Sequence, residues 1–319
     1  MYKLALSFFM LAVILAAPSF ADDDAVTREL DAYARANSLP PENIAPPVKS
    51  SSRKTHEFEF GVERYSYLYR EGVTNFQPIR FKGFYNGFVF SYTFRPVDVD
   101  SLAEILKDMF RIEFRYATGR TDYTGAGTWN GIKDYMYEIR GIVGHELFVS
   151  PTLQITPYIG LGYRYLNDGL QAIPARTVDN IPFYSGYNRE SRYCYIPVGV
   201  ELHRQLDRGW GIGWGLEYDL WITGKQTSHF EDMVDAFGGG AGWDPMDNKQ
   251  KSGFGLRGSL KVDKAFPRMK LGIEPYYRYW KIKDSEVQSL TGPGAPNASS
   301  WWEPQNTTQE IGVKVGVKF

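Results

Sequence analysis

Apolar and polar positions alternate with a period of two through most of the chain after residue 55, the spacing of a strand with two unlike faces. The clearest run is 210–223. Trp210, Ile212, Trp214, Leu216, Tyr218, Leu220 and Ile222 share one face, while Gly211, Gly213, Gly215, Glu217, Asp219, Trp221 and Thr223 share the other. Nine further segments read the same way: about 56–71, 81–95, 110–119, 135–148, 153–166, 192–203, 253–262, 270–282 and the last strand from about Thr307. A tilted strand needs about 9–11 residues to cross a bilayer. A face of lipid-type residues backed by glycine and charge suits a barrel wall. A secreted β-sandwich would need less length per strand and would leave that second face unexplained. The expected fold class is therefore all-β, an antiparallel transmembrane β-barrel of ten strands, with eight or twelve as the alternative counts.

The connections give it a direction. Those after the fourth, sixth and eighth segments are tight, at 149–151, 204–209 and 263–269, whereas 167–191, 224–252 and 283–306 are long and rich in Gly, Pro, Asn and Ser. Short periplasmic turns and long extracellular loops are the outer-membrane arrangement. Aromatics fall at the long-loop end of the strands (Tyr65, Tyr67, Tyr69, Tyr135, Tyr137, Tyr163, Tyr165, Tyr193, Tyr195, Tyr277, Tyr279 and Trp280); strand phase does not turn all of them to the lipid, but their depth is that of an interfacial girdle. One segment breaks the period. In 96–109, Leu102, Ile105, Leu106 and Met109 lie at i, i+3, i+4 and i+7, which predicts a short amphipathic helix at the inner interface.

The N-terminal part reads differently. Residues 1–21 carry one early cation, Lys3, an apolar run and the small-residue ending Ser19-Phe20-Ala21, the pattern of a cleaved export signal. Residues 22–55 read as a short periplasmic helix and a Pro- and Ser-rich linker, and 56–319 as the barrel. Composition narrows function by exclusion. The formal net charge is −1, with no basic block to hold nucleic acid. Cys194 is the single cysteine, so neither an intrachain disulfide nor a thiolate metal site is expected. No cofactor is expected.

With the export signal, the alternating segments, the phrase TPYIGLGYRYL and the ending GVKVGVKF in view, the chain resembles the Gram-negative outer-membrane β-barrel superfamily. The resemblance implies residence in the cell outer membrane, contact with its lipid and lipopolysaccharide, and insertion by the barrel-assembly machinery. In that superfamily a final alternating strand ending in Phe is similar to an insertion signal, here Val313, Val315, Val317 and Phe319. One barrel architecture hosts many activities, so the resemblance leaves the role open.

A barrel this narrow has little room inside. Glu113, Arg115, Glu138, Arg140, Arg164, Glu217, Asp219, Arg257, Glu274 and Arg278 are expected to face the lumen, with Glu59, Glu63, Arg111, Glu146, Glu201 and Lys314 beside them. Charges taken from water need partners, so ion-pair filling is the simpler reading and a constricted or gated channel the alternative. The ten-strand count invites comparison with omptin proteases. Asp122 and Asp134 in the second loop, and His229, Glu231, Asp232 and Asp235 in the fourth, lack the omptin spacing. His56, His145 and His203 have no suitably placed Ser for lipid deacylation and no metal-ligand spacing. The expectation is a non-enzymatic barrel with an adhesive, ligand-binding or structural role. Aromatics among small polar loop residues suit a binding surface: Trp129, Tyr184, Trp243, Trp301 and Trp302, with Phe183 and Tyr187 beside them.

Overall fold

In the computed structural model the described residues are 55–319, apart from 73–77, 97–108, 126, 179–180 and 297–299. The export signal and almost all of the N-terminal helix and linker lie outside them, as does the body of the helix expected over 96–109. Met109 instead opens a strand.

Ten long strands make the wall: β1 (His56–Glu71), β2 (Ile79–Phe94), β3 (Met109–Thr124), β4 (Thr128–Gly144), β5 (Leu153–Asp168), β6 (Arg189–Gln205), β7 (Trp210–Ser228), β8 (Gly253–Ala265), β9 (Lys270–Ile282) and β10 (Asn306–Lys318). Each pairs antiparallel with its sequence neighbours. β10 then pairs with β1, from Glu59 opposite Lys318 to Glu71 opposite Asn306, and closes the barrel. The last residue belongs to this seam, where Phe319 and Phe58 exchange amide–carbonyl bonds at 2.9 and 3.4 Å. Closure leaves no open edge in the wall. The C-terminal residues Val313 and Val315 point outward, with Val317 and Phe319 in the same phase.

The alternation sorts the residues by face. Phe58, Phe60, Val62, Phe84, Phe88, Ile139, Leu161, Leu260, Ile273 and Ile311 are exposed, as is the whole series from Trp210 to Ile222. Exposed aliphatic and aromatic side chains around a closed sheet form the apolar belt of a membrane barrel. The inward residues are buried, and many are charged.

Inward glycines make room for inward rings. A Cβ on Gly162 would fall 2.2 Å from the Tyr195 ring, one on Gly199 2.4 Å from the Tyr158 ring, and one on Gly224 2.3 Å from the Trp221 ring. Tyr195 and Tyr158 therefore lie flat across a neighbouring strand and reach into the lumen, and Trp221 folds back over Gly224 of its own strand. The ladder lapses once between β8 and β9, after Ser259 opposite Tyr276 and until Val262 opposite Ile273. Pro275 sits in that gap and has no amide proton to donate.

One expectation needs correction. The segment 120–134 is not a loop: β3 runs on to Thr124 and β4 starts at Thr128, with a tight reversal at Gly125–Gly127. The aromatics also divide. Tyr135 and Tyr277 are exposed on the outer face, whereas Tyr65, Tyr67, Tyr69, Tyr193, Tyr195 and Trp280 are buried inside. The reason is phase, because Tyr65, Tyr67 and Tyr69 share the parity of Glu59 and Glu63 and must face the lumen with them.

The glycine–ring contacts predict an asymmetric response to added side chains. Gly162→Val is expected to cost about 3 kcal/mol or more, by overpacking against Tyr195. Gly141→Ala, where a Cβ meets nothing within 4 Å, should stay within about 0.5 kcal/mol. Urea titration of the refolded barrel in micelles compares them. Equal losses would refute the packing argument.

Candidate functional site

The lumen is organised in levels along the barrel. At the short-turn end lies a polar cavity of about 310 Å³, lined among others by Glu57, Glu59, Arg95, Arg111, Glu201 and Lys318. Arg111 bonds both carboxylate oxygens of Glu201 at 2.6 and 3.1 Å. Lys314 bridges Glu59 at 3.1 Å and Glu274 at 2.8 Å.

At mid-height, two guanidinium groups gather carboxylates from across the wall. Arg257 on β8 meets Glu138 on β4 at 2.6 Å, and Glu217 and Asp219 on β7 at 2.8 Å each. Its Nη2 also donates to Tyr195 Oη at 2.9 Å. Arg115 on β3 meets Glu63 on β1 at 2.5 Å and Glu310 on β10 at 2.9 Å. Arg140 joins Glu113 to Glu217, Arg164 reaches Glu310 at 2.6 Å, and Arg278 lies 3.6 Å from Glu310. The structure thus places all ten of the sequence-derived lumen residues in contact with an opposite charge. Partners on facing strands make these ties across the lumen, and burial makes each one matter, since an unpartnered charge there is costly.

Above this level the lumen is filled by rings and aliphatics. Tyr65, Tyr67, Tyr69, Phe81, Tyr85, Tyr123, Ile132, Met136, Leu166, Tyr193 and Ile282 pack into one cluster. Guanidinium groups lie over its faces, Arg115 at 4.5 Å from the Tyr65 ring and Arg189 at 5.0 Å from Tyr69.

A second ionic level caps the cluster at the mouth. Arg189 meets Asp168 at 2.9 Å, Glu71 at 3.3 Å and Glu303 at 3.8 Å. Glu303 comes from the 283–305 connection, where Ser228 Oγ donates to its carboxylate at 3.2 Å. Burial and the neighbouring Glu71 carboxylate push Glu303 up to about 7, against the pull of Arg189. Sequence reading missed Arg189, Glu71, Asp168 and Glu303. Only the phase of Tyr193 and Tyr195, carried back to Arg189, signals the first of them.

The long connections fold onto one another. Phe230 is buried at their centre with Met233, Ala241 and Met246. The rings of Tyr187, Trp243 and Trp301 stand 4.5, 5.7 and 5.5 Å from it. Trp243 Nε1 donates to the Gly294 carbonyl at 2.8 Å, which ties two connections together. Tyr184, Val234, Phe237, Val287, Trp301 and Trp302 remain exposed around this cluster, Phe237 at 84 %. Of the five expected loop aromatics, Tyr184, Trp243 and Trp301 come together and Trp302 is exposed beside them in sequence. Trp129 does not join them. It lies in β4, 5.6 Å from the Tyr123 ring, against the lumen cluster. Phe230, the centre, went unread because a lone ring in a polar connection has no periodic neighbours to mark it as buried. The side chain of Phe183 lies outside the described residues.

The residues weighed for catalysis are dispersed. Asp122 faces outward and accepts the Gly131 amide at 3.0 Å, whereas Asp134 is buried inside and accepts from Thr121 at 2.5 Å and from the Gly169 amide at 3.1 Å. His229 Nδ1 lies 2.8 Å from Glu231 and its Nε2 3.6 Å from Glu190. Asp232 accepts the Asn188 amide, and Asp235 the amides of Phe237 and Gly239. His203 pairs with Asp263 at 2.9 Å, near the short-turn end. Among the described residues no group of His, Cys, Asp and Glu is placed to hold a metal ion.

The outer membrane protease OmpT from Escherichia coli superposes with a TM-score of 0.54 at 10% identity, over 87% of this chain and 99% of that one. The fold is that of an outer-membrane β-barrel, consistent with the cell outer membrane as its location. Two other barrels match at lower similarity. A major outer membrane protein from Thermus thermophilus gives 0.33 at 12% identity, over 82% and 99% of the two chains. The translocator domain of the autotransporter NalP from Neisseria meningitidis gives 0.33 at 9%, over 93% and 97%. No family model matches the chain, and no curated protein does.

Two predictions follow from the ionic levels. Arg257→Met should cost about 3–5 kcal/mol, since it strands buried carboxylates, and Glu138→Gln added to it should recover part of that loss. Additive losses in the double variant would refute the pairing. Glu303 gains its proton more readily folded than unfolded, so its share of mouth stability is complete below about 4.5 and is lost as pH rises through about 7. The protection of residues 283–305 against hydrogen exchange, relative to the intrinsic rate at each pH, should therefore fall between pH 5 and 8, and Glu303→Gln should flatten that dependence.

Proposed function

We propose that this protein is a non-conducting outer-membrane barrel that presents a pre-formed aromatic binding surface on its extracellular connections. The observation that carries the reading is the Phe230 cluster. Three connections, 169–188, 229–252 and 283–305, converge on it and hold Tyr184, Trp301 and Trp302 at the surface. Aromatic anchors held in place before contact lose little freedom on binding. The filled lumen supports the same reading, because the ring cluster and the Arg189 level lie between the polar cavity and the mouth. A non-enzymatic role is supported by the dispersal of the acidic and histidine side chains, with Asp122 and Asp134 on opposite faces of the wall. The chemical class of the ligand stays at an extracellular surface molecule with apolar or ring-bearing groups.

A narrow channel is the second reading, and the 310 Å³ polar cavity favours it. Planar-bilayer recording separates the two. The refolded protein, with and without residues 22–55, is expected to show no stable discrete openings. Discrete openings in either form would overturn the closed-lumen reading. On cells, Trp301→Ala/Trp302→Ala should weaken adhesion by about 2 kcal/mol or more in the relevant affinity if these are anchors, with barrel folding unchanged. Unaltered adhesion would remove the platform.

A further inference from the structure

The outer face of β1–β4 carries an unmatched row of cations at its long-loop end. Arg64 and Arg70 stand on β1, Arg80 and Lys82 on β2, Arg120 on β3 and Lys133 on β4, and all are exposed. Strand register sets Arg70 directly opposite Arg80 and Arg120 directly opposite Lys133. Like charges directly opposed destabilise a sheet, so at two places the wall holds an arrangement that folding alone disfavours. One acid, Asp122, shares this face, and against six cations it leaves five positive charges in excess. Among the described residues none of the six forms an ion pair. Asp122, opposite Lys82, accepts the Gly131 amide. Arg64 donates to Asn86 at 3.2 Å and lies over the Phe84 ring, and Arg120 donates to the Gly131 carbonyl at 2.9 Å. These contacts orient two guanidinium groups without neutralising them.

Elsewhere on the same rim some cations carry their own acids, while Lys281 on β9 and Lys249 are exposed and, among the described residues, form no ion pair. Lys225 on β7 is bonded to Asp247 at 2.9 Å, and Arg192 on β6 is paired with Glu190. Depth matters as well. Phe84, Phe88 and Tyr135, exposed on β2 and β4, edge the apolar belt just below Lys82 and Lys133, so the row from Arg70 to Lys133 stands at the level of lipid headgroups, with Arg64, opposite Asn86, deeper on β1. Guanidinium and ammonium groups at that level are matched by phosphate oxygens, with arginine able to bond two oxygens at once.

We propose that this row binds the phosphate groups of outer-leaflet lipopolysaccharide, with the opposed pairs Arg70/Arg80 and Arg120/Lys133 bridged by lipid phosphate. The site rests on the barrel's orientation with its long connections outward. It is independent of what those connections bind.

The test uses the full chain refolded in a phosphate-free maltoside detergent, with thermal unfolding followed against added probe. Bisphosphorylated lipid A should raise the midpoint. Its dephosphorylated form and inorganic phosphate at equal concentration should not. Arg80→Gln/Lys82→Gln/Arg120→Gln/Lys133→Gln should weaken the apparent affinity for lipid A by about fivefold per cation removed. Its midpoint without lipid should equal or exceed that of the unaltered protein, since repulsion is relieved. Lys225→Gln/Lys281→Gln should respond like the unaltered protein. An equal response to dephosphorylated lipid A, or an undiminished response in the fourfold variant, would overturn the proposal. So would inorganic phosphate reproducing the shift, which would mark a free-anion site. If the fourfold variant does not fold, Arg120→Gln/Lys133→Gln replaces it. Failure of both to fold would also count against the site, because the argument requires these cations to oppose folding in the absence of lipid.

Discussion

Everything inside this barrel depends on charge being matched across the lumen. A closed ten-stranded wall turns one side chain in two inward, and here many of those are carboxylates and guanidinium groups. Left alone, a buried ion costs several kcal/mol. Arg257, between Glu138, Glu217 and Asp219, and Arg115, between Glu63 and Glu310, resolve this by drawing each partner from another strand. The ties run across the lumen as well as along the ladder. They therefore fix which strands face each other as well as which ones pair.

Glycine supplies the complementary condition. Rings as large as Tyr195 and Tyr158 fit because the neighbouring strand presents Gly162 or Gly199 where they lie. The tyrosine hydroxyls then become part of the ionic levels: Tyr195 donates to Glu138 at 2.7 Å and Tyr158 to Glu217 at 2.7 Å. Ring packing and ion pairing are thus one construction. The ring cluster above them completes the filling of the upper lumen, and Arg189 with Glu303 links it to the connections that carry the surface aromatics.

How much of this was legible depended on whether the signal was local. Strand phase is local, so Trp210–Ile222 and Val313–Val315 could be assigned to the lipid face from the sequence, and Glu138 or Arg257 to the lumen. The partner of each ion was not legible, because Arg257 and Glu138 are joined only by curvature of the sheet. Tyr65, Tyr67 and Tyr69 show a signal present but overruled: their parity with Glu63 placed them inside, while their depth suggested a girdle. The stretch Asp122–Asp134 failed for another reason. Its Thr, Gly and Asn content resembles a loop, but in the fold it continues β3 and β4 beyond the belt, with Asp134 fixed inside by Thr121. Phe230 lay beyond reach altogether, since a single aromatic in a polar connection carries no period.

The two surfaces of the wall obey the same electrostatics under different conditions. Inside, space is limited and no outside ion is at hand, so each lumen guanidinium named above has a carboxylate from the chain itself. Outside, at headgroup depth, the surroundings can contribute the counter-charge, and the chain need not. Arg192 and Lys225 nevertheless carry their own acids, which shows that pairing on the outer face is structurally available. Over β1–β4 six exposed cations stand without such pairs. Opposed cations such as Arg120 and Lys133 are tolerable in a folded sheet only where an anion stands between them or solvent screens them. At the edge of an apolar belt screening is at its weakest, and a bound phosphate is the counter-charge that fits both the depth and the geometry.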